Sequence, residues 1–334
     1  MKNKYFKLIP AIVAVSLTFT ACATASGTSQ NSDSIISSQT EETESSSNTT
    51  EEDTATDTSK ESQSQSETTE YFSARDLSGE IDTTNAVEIT LNGDSISASS
   101  DGVSISGSNL TITKEGTYII SGTLENGSII IDATNEEKVQ LVLNGVSINS
   151  DTFAAIYVAQ ADKVFITLAE GTSNTLTNGG SFIQIDDNNV DAVIFSKDDI
   201  TLNGIGSLKI ESSAGHGIVS KDDVVIANGT YDINVSQTAI KANDNLNIAD
   251  GTFNISGGSD GLHSENNDDE TLGAIYIAGG TFNITAYDDG IHATTILKID
   301  GGAFDISTAE GLEATYIVIN DGNISISASD DGIN

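Results

Sequence analysis

One phrase recurs along the second half of the chain and constrains its fold more than any other feature. Gly229-Thr230-Tyr231-Asp232-Ile233 returns as Gly251-Thr252-Phe253-Asn254-Ile255, Gly280-Thr281-Phe282-Asn283-Ile284 and Gly302-Ala303-Phe304-Asp305-Ile306, and then degenerately at Gly322-Asn323-Ile324-Ser325-Ile326. The steps are 22, 29, 22 and 20 residues. A second phrase keeps the same beat: Gly217-Ile218, Ala239-Ile240, Gly261-Leu262, Gly290-Ile291, Gly311-Leu312 and Gly332-Ile333. Both registers show one long step, so a single insertion explains it, and the polar run Glu265-Asn266-Asn267-Asp268-Asp269-Glu270 supplies that insertion.

Inside each repeat apolar and polar residues alternate, as at Val224 and Ile226 or Ile275 and Ile277, which is the period of a strand. Gly, Asn and Asp stand between the short strands as turn formers. A repeat of this length holding about three strands is one coil of a solenoid whose coils pair at about 4.8 Å. The expected fold is therefore all-β, a right-handed single-stranded parallel β-helix with about 21–22 residues per coil. Tyr231, Phe253, Phe282 and Phe304 then fall one above another. Ile255, Ile284 and Ile306 share their parity, so the aromatic column is read as core and not as a sugar platform. Residues 86–190 are less regular but use the same grammar, as in Ile89-Thr90-Leu91-Asn92-Gly93 and Leu141-Val142-Leu143-Asn144-Gly145, and are expected to form the first coils and a cap. The sequence stops inside a repeat at Asp331-Gly332-Ile333-Asn334. Because an uncapped end exposes a strand edge, a longer natural protein is expected.

The first 21 residues read as an export signal. Lys2, Lys4 and Lys7 precede an apolar stretch from Leu8 to Ala21, which is shorter than the roughly 20 residues of a membrane-spanning helix. It ends Phe19-Thr20-Ala21-Cys22, similar to the lipobox of bacterial lipoproteins with Phe19 where Leu is usual. Cys22 is the chain's one cysteine, so it is the expected lipidation point, and no disulfide framework exists. Residues 23–75 are Ser, Thr, Glu, Gln and Asp with few large apolar side chains. This is the composition of a disordered tether. The reading is thus a signal peptide at 1–21, a lipidated Cys22 and tether to 75, and the β-helix at 76–334. That places the protein outside the cell, lipid-anchored at the outer face of the membrane, and otherwise off the bilayer.

The chain carries a formal charge of −37, and its body from residue 76 onward has 39 acidic residues against 8 lysines. Such a surface excludes nucleic acid and anionic lipid as partners. It also repels an acidic polysaccharide unless something cationic intervenes. The sequence offers a place for that cation. Asp260-Gly261-Leu262-His263, Asp288-Asp289-Gly290-Ile291-His292, Glu310-Gly311-Leu312-Glu313 and Asp330-Asp331-Gly332-Ile333-Asn334 recur in phase. Stacked coils bring their carboxylates roughly 5 Å apart, where like charges raise one another's pKa unless a cation separates them. Oxygen donors without thiolate select a hard cation, and flexible geometry favours Ca²⁺. Asp260, Asp288, Asp289, Glu310, Glu313, Asp330 and Asp331 are the candidate ligands, with the glycine supplying a turn at positive φ. Tyr287, beside the aspartate pair, and His263 and His292 are the candidates for contact with a sugar.

Two other patterns suggest catalysis and are set aside. Gly215-His216-Gly217-Ile218 is similar to the histidine motif of pectin-hydrolysing polygalacturonases. Their other motifs are missing, and the body contains no arginine beyond Arg75. Ser196-Lys197-Asp198-Asp199 and Ser220-Lys221-Asp222-Asp223 hold lysines that could act as a base in uronate β-elimination. They repeat in phase beside acids, as a salt-bridged turn ladder would.

Three longer phrases, Thr111-Ile112-Thr113-Lys114-Glu115-Gly116-Thr117-Tyr118-Ile119-Ile120-Ser121-Gly122, Val164-Phe165-Ile166-Thr167-Leu168-Ala169-Glu170-Gly171 and Asp288-Asp289-Gly290-Ile291-His292-Ala293, carry a resemblance. The chain resembles the carbohydrate-binding β-helix family of clostridial-type cell-surface proteins, which is related in fold to pectate lyases. The resemblance implies a right-handed β-helix, bound Ca²⁺ and binding of plant cell-wall polysaccharide such as polygalacturonate, without established lyase activity. The expectation is a monomeric, non-catalytic, pectin-binding surface lipoprotein. A Ca²⁺-dependent pectate lyase and a purely structural stalk or adhesin are the competing readings.

Overall fold

The computed structural model describes residues 70–98 and 100–334. The expected signal peptide, Cys22 and the expected tether as far as residue 69 lie outside the described residues. The rest is a solenoid of short strands, 26 of them joined in one hydrogen-bonded network. The coiled part is parallel and has three faces. One holds Ser207–Ser212, Thr230–Val235, Thr252–Gly257, Thr281–Ala286 and Ala303–Thr308. The second holds His216–Ser220, Ile240–Ala242, Leu262–Ser264 and the starts of Asp289–Ile299 and Glu310–Ile319. The third holds Val224–Ile226, Asn245–Ile248, Ala274–Ile277 and the ends of the same two long strands. At the N-terminal end the chain departs from coil grammar. Val87–Gly93 pairs antiparallel with Ser95–Ala98, and Val103–Ser106 with Asn109–Ile112. The expected cap is therefore made of hairpins.

The repeated phrase explains itself in the core. Tyr231, Phe253, Phe282 and Phe304 are buried and stack face to face, with centroid separations of 5.0, 4.6 and 4.6 Å. Parallel in-register pairing forces identical residues over one another, and Tyr231 uses its hydroxyl to reach the carbonyl of Asn228 at 2.8 Å. The preceding glycine is needed twice over. Gly280 has φ +117°, and a Cβ there would meet the Phe282 ring at 3.0 Å. The 29-residue step between Phe253 and Phe282 is absorbed by the polar loop after Leu262–Ser264, so the pairing continues without a slip.

The boundary expected at residue 75 needs correction. Residues 71–75, expected to belong to the tether, join 76–80 in strapping the outside of the third face. Tyr71 stacks on Tyr276 with centroids 3.8 Å apart. Phe72 is buried against Val225 and Tyr276. A short helix, Ala74–Leu77, starts at Ser73 with a capping box, and the Arg75 guanidinium lies 4.3 Å above the Phe165 ring. Asp76 is buried and accepts hydrogen bonds from Lys163 Nζ at 2.8 Å, Thr201 Oγ1 at 2.5 Å and Ser73 N at 2.9 Å. Burial pushes its carboxyl up, but the Lys163, Ser73 and Thr201 contacts prevail and hold it below the ordinary value. Composition hid this segment because its few anchoring side chains sit in a polar neighbourhood.

Candidate functional site

The second face brings the expected acidic ladder together, though in separate columns. Positions at or just before the start of each strand read Thr238, Asp260, Asp289, Glu310 and Asp331, of which Thr238, Asp260 and Asp289 are buried. Backbone pairing stacks them: Ala239 N donates to Asp260 O, Gly261 N to Asp289 O and Gly311 N to Asp331 O, and Asp289 is in register with Glu310. Asp288 and Asp330 stand one residue earlier, in a neighbouring column with Ala309. Glu313 belongs to a third column, in register with His292, which is itself in register with His263 and Lys241. The glycines between columns do not adopt the expected positive φ. Gly290 is needed for close approach instead: a Cβ there would stand 2.6 Å from the Gly311 carbonyl oxygen.

Among the described residues, two clusters have donor atoms mutually within 4.8 Å. The first is Asp260, Asp288 and Asp289, all oxygen. The second is Asp289, His292 and Glu313. Asp330 and Asp331 are exposed and join neither cluster. Glu310 accepts a hydrogen bond from Asn334 Nδ2 at 3.0 Å. The electrostatics are those of carboxylates short of positive charge. Burial, then the charges of Asp289, Asp260 and Glu310, raise Asp288 above the ordinary carboxyl value. Burial raises Glu313 too, with Asp289 and Glu310 adding to it and His292 opposing.

Both histidines serve the carboxylates. His263 is 8% exposed, and its Nδ1 lies 2.8 Å from Asp260 Oδ2. Burial pushes Asp260 up, but the His263 hydrogen bond and charge win, and the carboxyl is held below its usual value. The expectation that His263 touches a sugar is therefore corrected: it is buried and faces acids. His292 Nδ1 lies 3.2 Å from Asp289 Oδ2, and that contact outweighs burial to raise the imidazole above its ordinary value. Tyr287 is 82% exposed. A shallow groove of 330 Å³ continues from the ladder, lined by His292, Thr294, Glu313, Thr315 and Asn334. On the other side, outward Tyr157, Phe195 and Val219 form an apolar cluster with Val190 from the loop before Ala192–Ser196, and Tyr157 donates its hydroxyl to Asp186 of that loop. The apolar half of the face is thus covered, while in the ionisable half Asp288 and Glu313 reach solvent.

The Lys-Asp-Asp turns are not the expected salt-bridged ladder. Lys221 lies 5.6 Å from the Phe195 ring centroid, while the aspartates crowd one another. Burial, then Asp199, Asp244 and Asp198, push Asp222 up to about 6. A carboxyl raised in the folded state costs stability once both states are ionised. The cost disappears as pH falls from about 6 toward 3.8, where only the folded state holds the proton. Asp222→Asn should therefore stabilise the protein at pH 7 by about 1 kcal/mol, a figure discounted for partial exposure. The gain should vanish near pH 4, as urea titrations at the two pH values would show.

The family model described as carbohydrate-binding domain-containing protein matches residues 106–334. The chain belongs to the carbohydrate-binding domain family. A relative in that family, from Acetivibrio thermocellus, is 38% identical over 149 residues, which is 44% of this chain and 52% of the relative. The chain thus spans about half the length of the curated relative it matches. A solved structure described as a polysaccharide lyase-like protein from C. thermocellum, a gadolinium derivative, is 31% identical and superposes with a TM-score of 0.63, covering 75% of this chain and all of that one. The carbohydrate-binding family match includes the whole acidic ladder, from Asp260 to Asp331.

Proposed function

We propose that this chain binds an acidic polysaccharide of the polygalacturonate type, without cleaving it, through Ca²⁺ held on the ladder of the second face. The observation that carries this reading is the Asp260, Asp288 and Asp289 cluster, three carboxylates within 4.8 Å. Oxygen donors in an adaptable arrangement fit a hard cation such as Ca²⁺. The C. thermocellum structure is a gadolinium derivative, and a trivalent lanthanide is a hard cation with the same taste for carboxylate oxygen. A cation there would offset the burial and the neighbouring charges that together raise Asp288, and coordination positions left open would accept uronate carboxylates. The solenoid is taken as right-handed, the hand of nearly all parallel crossovers. Export and lipidation at Cys22 rest on the sequence, and Cys22→Ser should then release the chain from membranes into the medium.

A Ca²⁺-dependent lyase is the second reading, favoured by the lyase-like description of the solved neighbour. It needs a base beside the metal to take the proton from C5. Lys241, in register with His263, has its ammonium 3.4 Å from Glu265 Oε2 and is engaged in that contact. Incubation with polygalacturonate and Ca²⁺ should retain the protein on the polymer with no growth of unsaturated-uronate absorbance. Steady accumulation of that product would replace the binding reading with the lyase one.

A further inference from the structure

We propose that residues 70–86 are a latch that opens under tension and lengthens the stretch of chain leading into the solenoid while the coils stay folded. The latch rests on the strap's own contacts and not on what the ladder binds. One outward column of the third face climbs through seven successive coils in register, from Gln140 through Phe165, Thr201 and Val225 to Tyr276 and Lys298. The strap follows this column in reverse. Tyr71 stacks on Tyr276, and the Lys298 ammonium lies 5.5 Å from the Tyr71 ring centroid. Phe72 packs with Val225, Asp76 meets Thr201 and Arg75 covers Phe165. At the far end Gln140 Nε2 donates to the Glu80 carbonyl at 3.0 Å. A pull on residue 70 therefore loads these contacts one after another, from Tyr71 onward.

What holds the strap differs in kind from what holds the coils. The hydrogen bonds that fix it come from coil side chains. Lys163 and Thr201 donate to the Asp76 carboxylate, and Asn203 Nδ2 donates to the carbonyls of Asp76 and Ser78 at 3.2 and 2.9 Å. The coils are joined by backbone ladders on three faces and by a continuous apolar core. Contacts that yield singly open at lower load than a ladder whose bonds share it, so the strap sits at the low-stability end of the fold. It also closes again. Phe72 and Asp76 are each 3% exposed when docked, and an open strap returns the Phe72 ring to water and separates Asp76 from Lys163.

The closed strap decides where load travels. Lys298, under its first residues, shares the strand Asp289–Ile299 with Asp289 and His292. Tension between the ladder and residue 70 then crosses the coils around Tyr276 and bypasses the earlier ones. After release it enters at Val87, which the strand registers place seven coil spacings from the coil of Tyr276, or about 34 Å. The freed segment itself extends to about 60 Å. In a chain fixed to a membrane at one end and to a polymer at the ladder, that length absorbs a pull that otherwise falls on the ladder.

The test is single-molecule stretching of the full, unlipidated chain. It is held by the thiol of Cys22, the chain's one cysteine, and by that of a Tyr287→Cys substitution beside the ladder. The expected record shows a first step adding about 60 Å or more of contour length. That step should come at lower force than any later one and reverse when the force is relaxed. Phe72→Ala should shift the ratio of open to closed strap at fixed force by about tenfold or more toward open. Asp76→Asn, which keeps the shape of the side chain, should shift it the same way. Opening that occurs only together with loss of coils would overturn the latch, and so would a first step that neither substitution changes. Either failure leaves the polysaccharide reading standing, since the measurement contains no glycan.

Discussion

Phe282→Ala is expected to cost about 3–5 kcal/mol of stability. Phe282 is 1% exposed and stacked on both sides, against Phe253 and Phe304 at 4.6 Å. Removing it breaks two aromatic contacts, each worth about 0.5–1.5 kcal/mol beyond burial, and opens a void that parallel in-register strands cannot close by sliding. Solenoid stability is roughly a sum of coil and nearest-neighbour terms, so damage should begin near Thr281–Ala286 and spread to the coils on either side. Thermal unfolding followed by circular dichroism would show a melting temperature lower by several degrees. Tyr287→Ala, five residues on but exposed, should leave it unchanged. A Phe282→Ala protein as stable as the wild type but weak in glycan binding would mean that the column is a platform and not a core.

The second large effect is expected on binding. Asp289→Asn combined with Glu313→Gln removes charge from both clusters, since Asp289 is common to them. Even partners outside a metal's own ligands are worth 10- to 100-fold in affinity, so uronate binding should fall by about 100-fold or more. Without metal the double variant sheds repulsion felt by Asp288 but also loses the attraction of both acids for His292, so its stability should stay close to that of the wild type. The wild type should gain about 2.7 kcal/mol when Ca²⁺ reaches a hundredfold excess over its dissociation constant, and the variant should gain little. Melting curves with and without Ca²⁺ separate these outcomes.

The coil was legible because in-register stacking makes position in the repeat equivalent to position in space. The offsets between Tyr231, Phe253, Phe282 and Phe304 are printed in the sequence and return as Cα partners. The same logic placed the ladder on one face but missed its division, because Glu313 and Glu310 differ by three residues and so fall in different columns. It also missed the roles of the histidines. Asp260 and His263, or Asp289 and His292, stand three residues apart, which a regular strand would put on opposite faces, yet carboxylate and imidazole meet. The strap was invisible to composition, although Ser73 and Asp76 have the spacing of a capping box and Tyr71 and Phe72 stand out from the polar text around them.

The most direct test is to measure retention of the protein on immobilised polygalacturonate at physiological salt, first in millimolar Ca²⁺ and then in excess chelator. At that ionic strength screening acts over about 8 Å, too far to hide carboxylates in contact with a ligand. The metal-bridged account predicts tight retention in Ca²⁺ and release by the chelator, with retention restored when Ca²⁺ is returned. Retention that persists undiminished in excess chelator would contradict it.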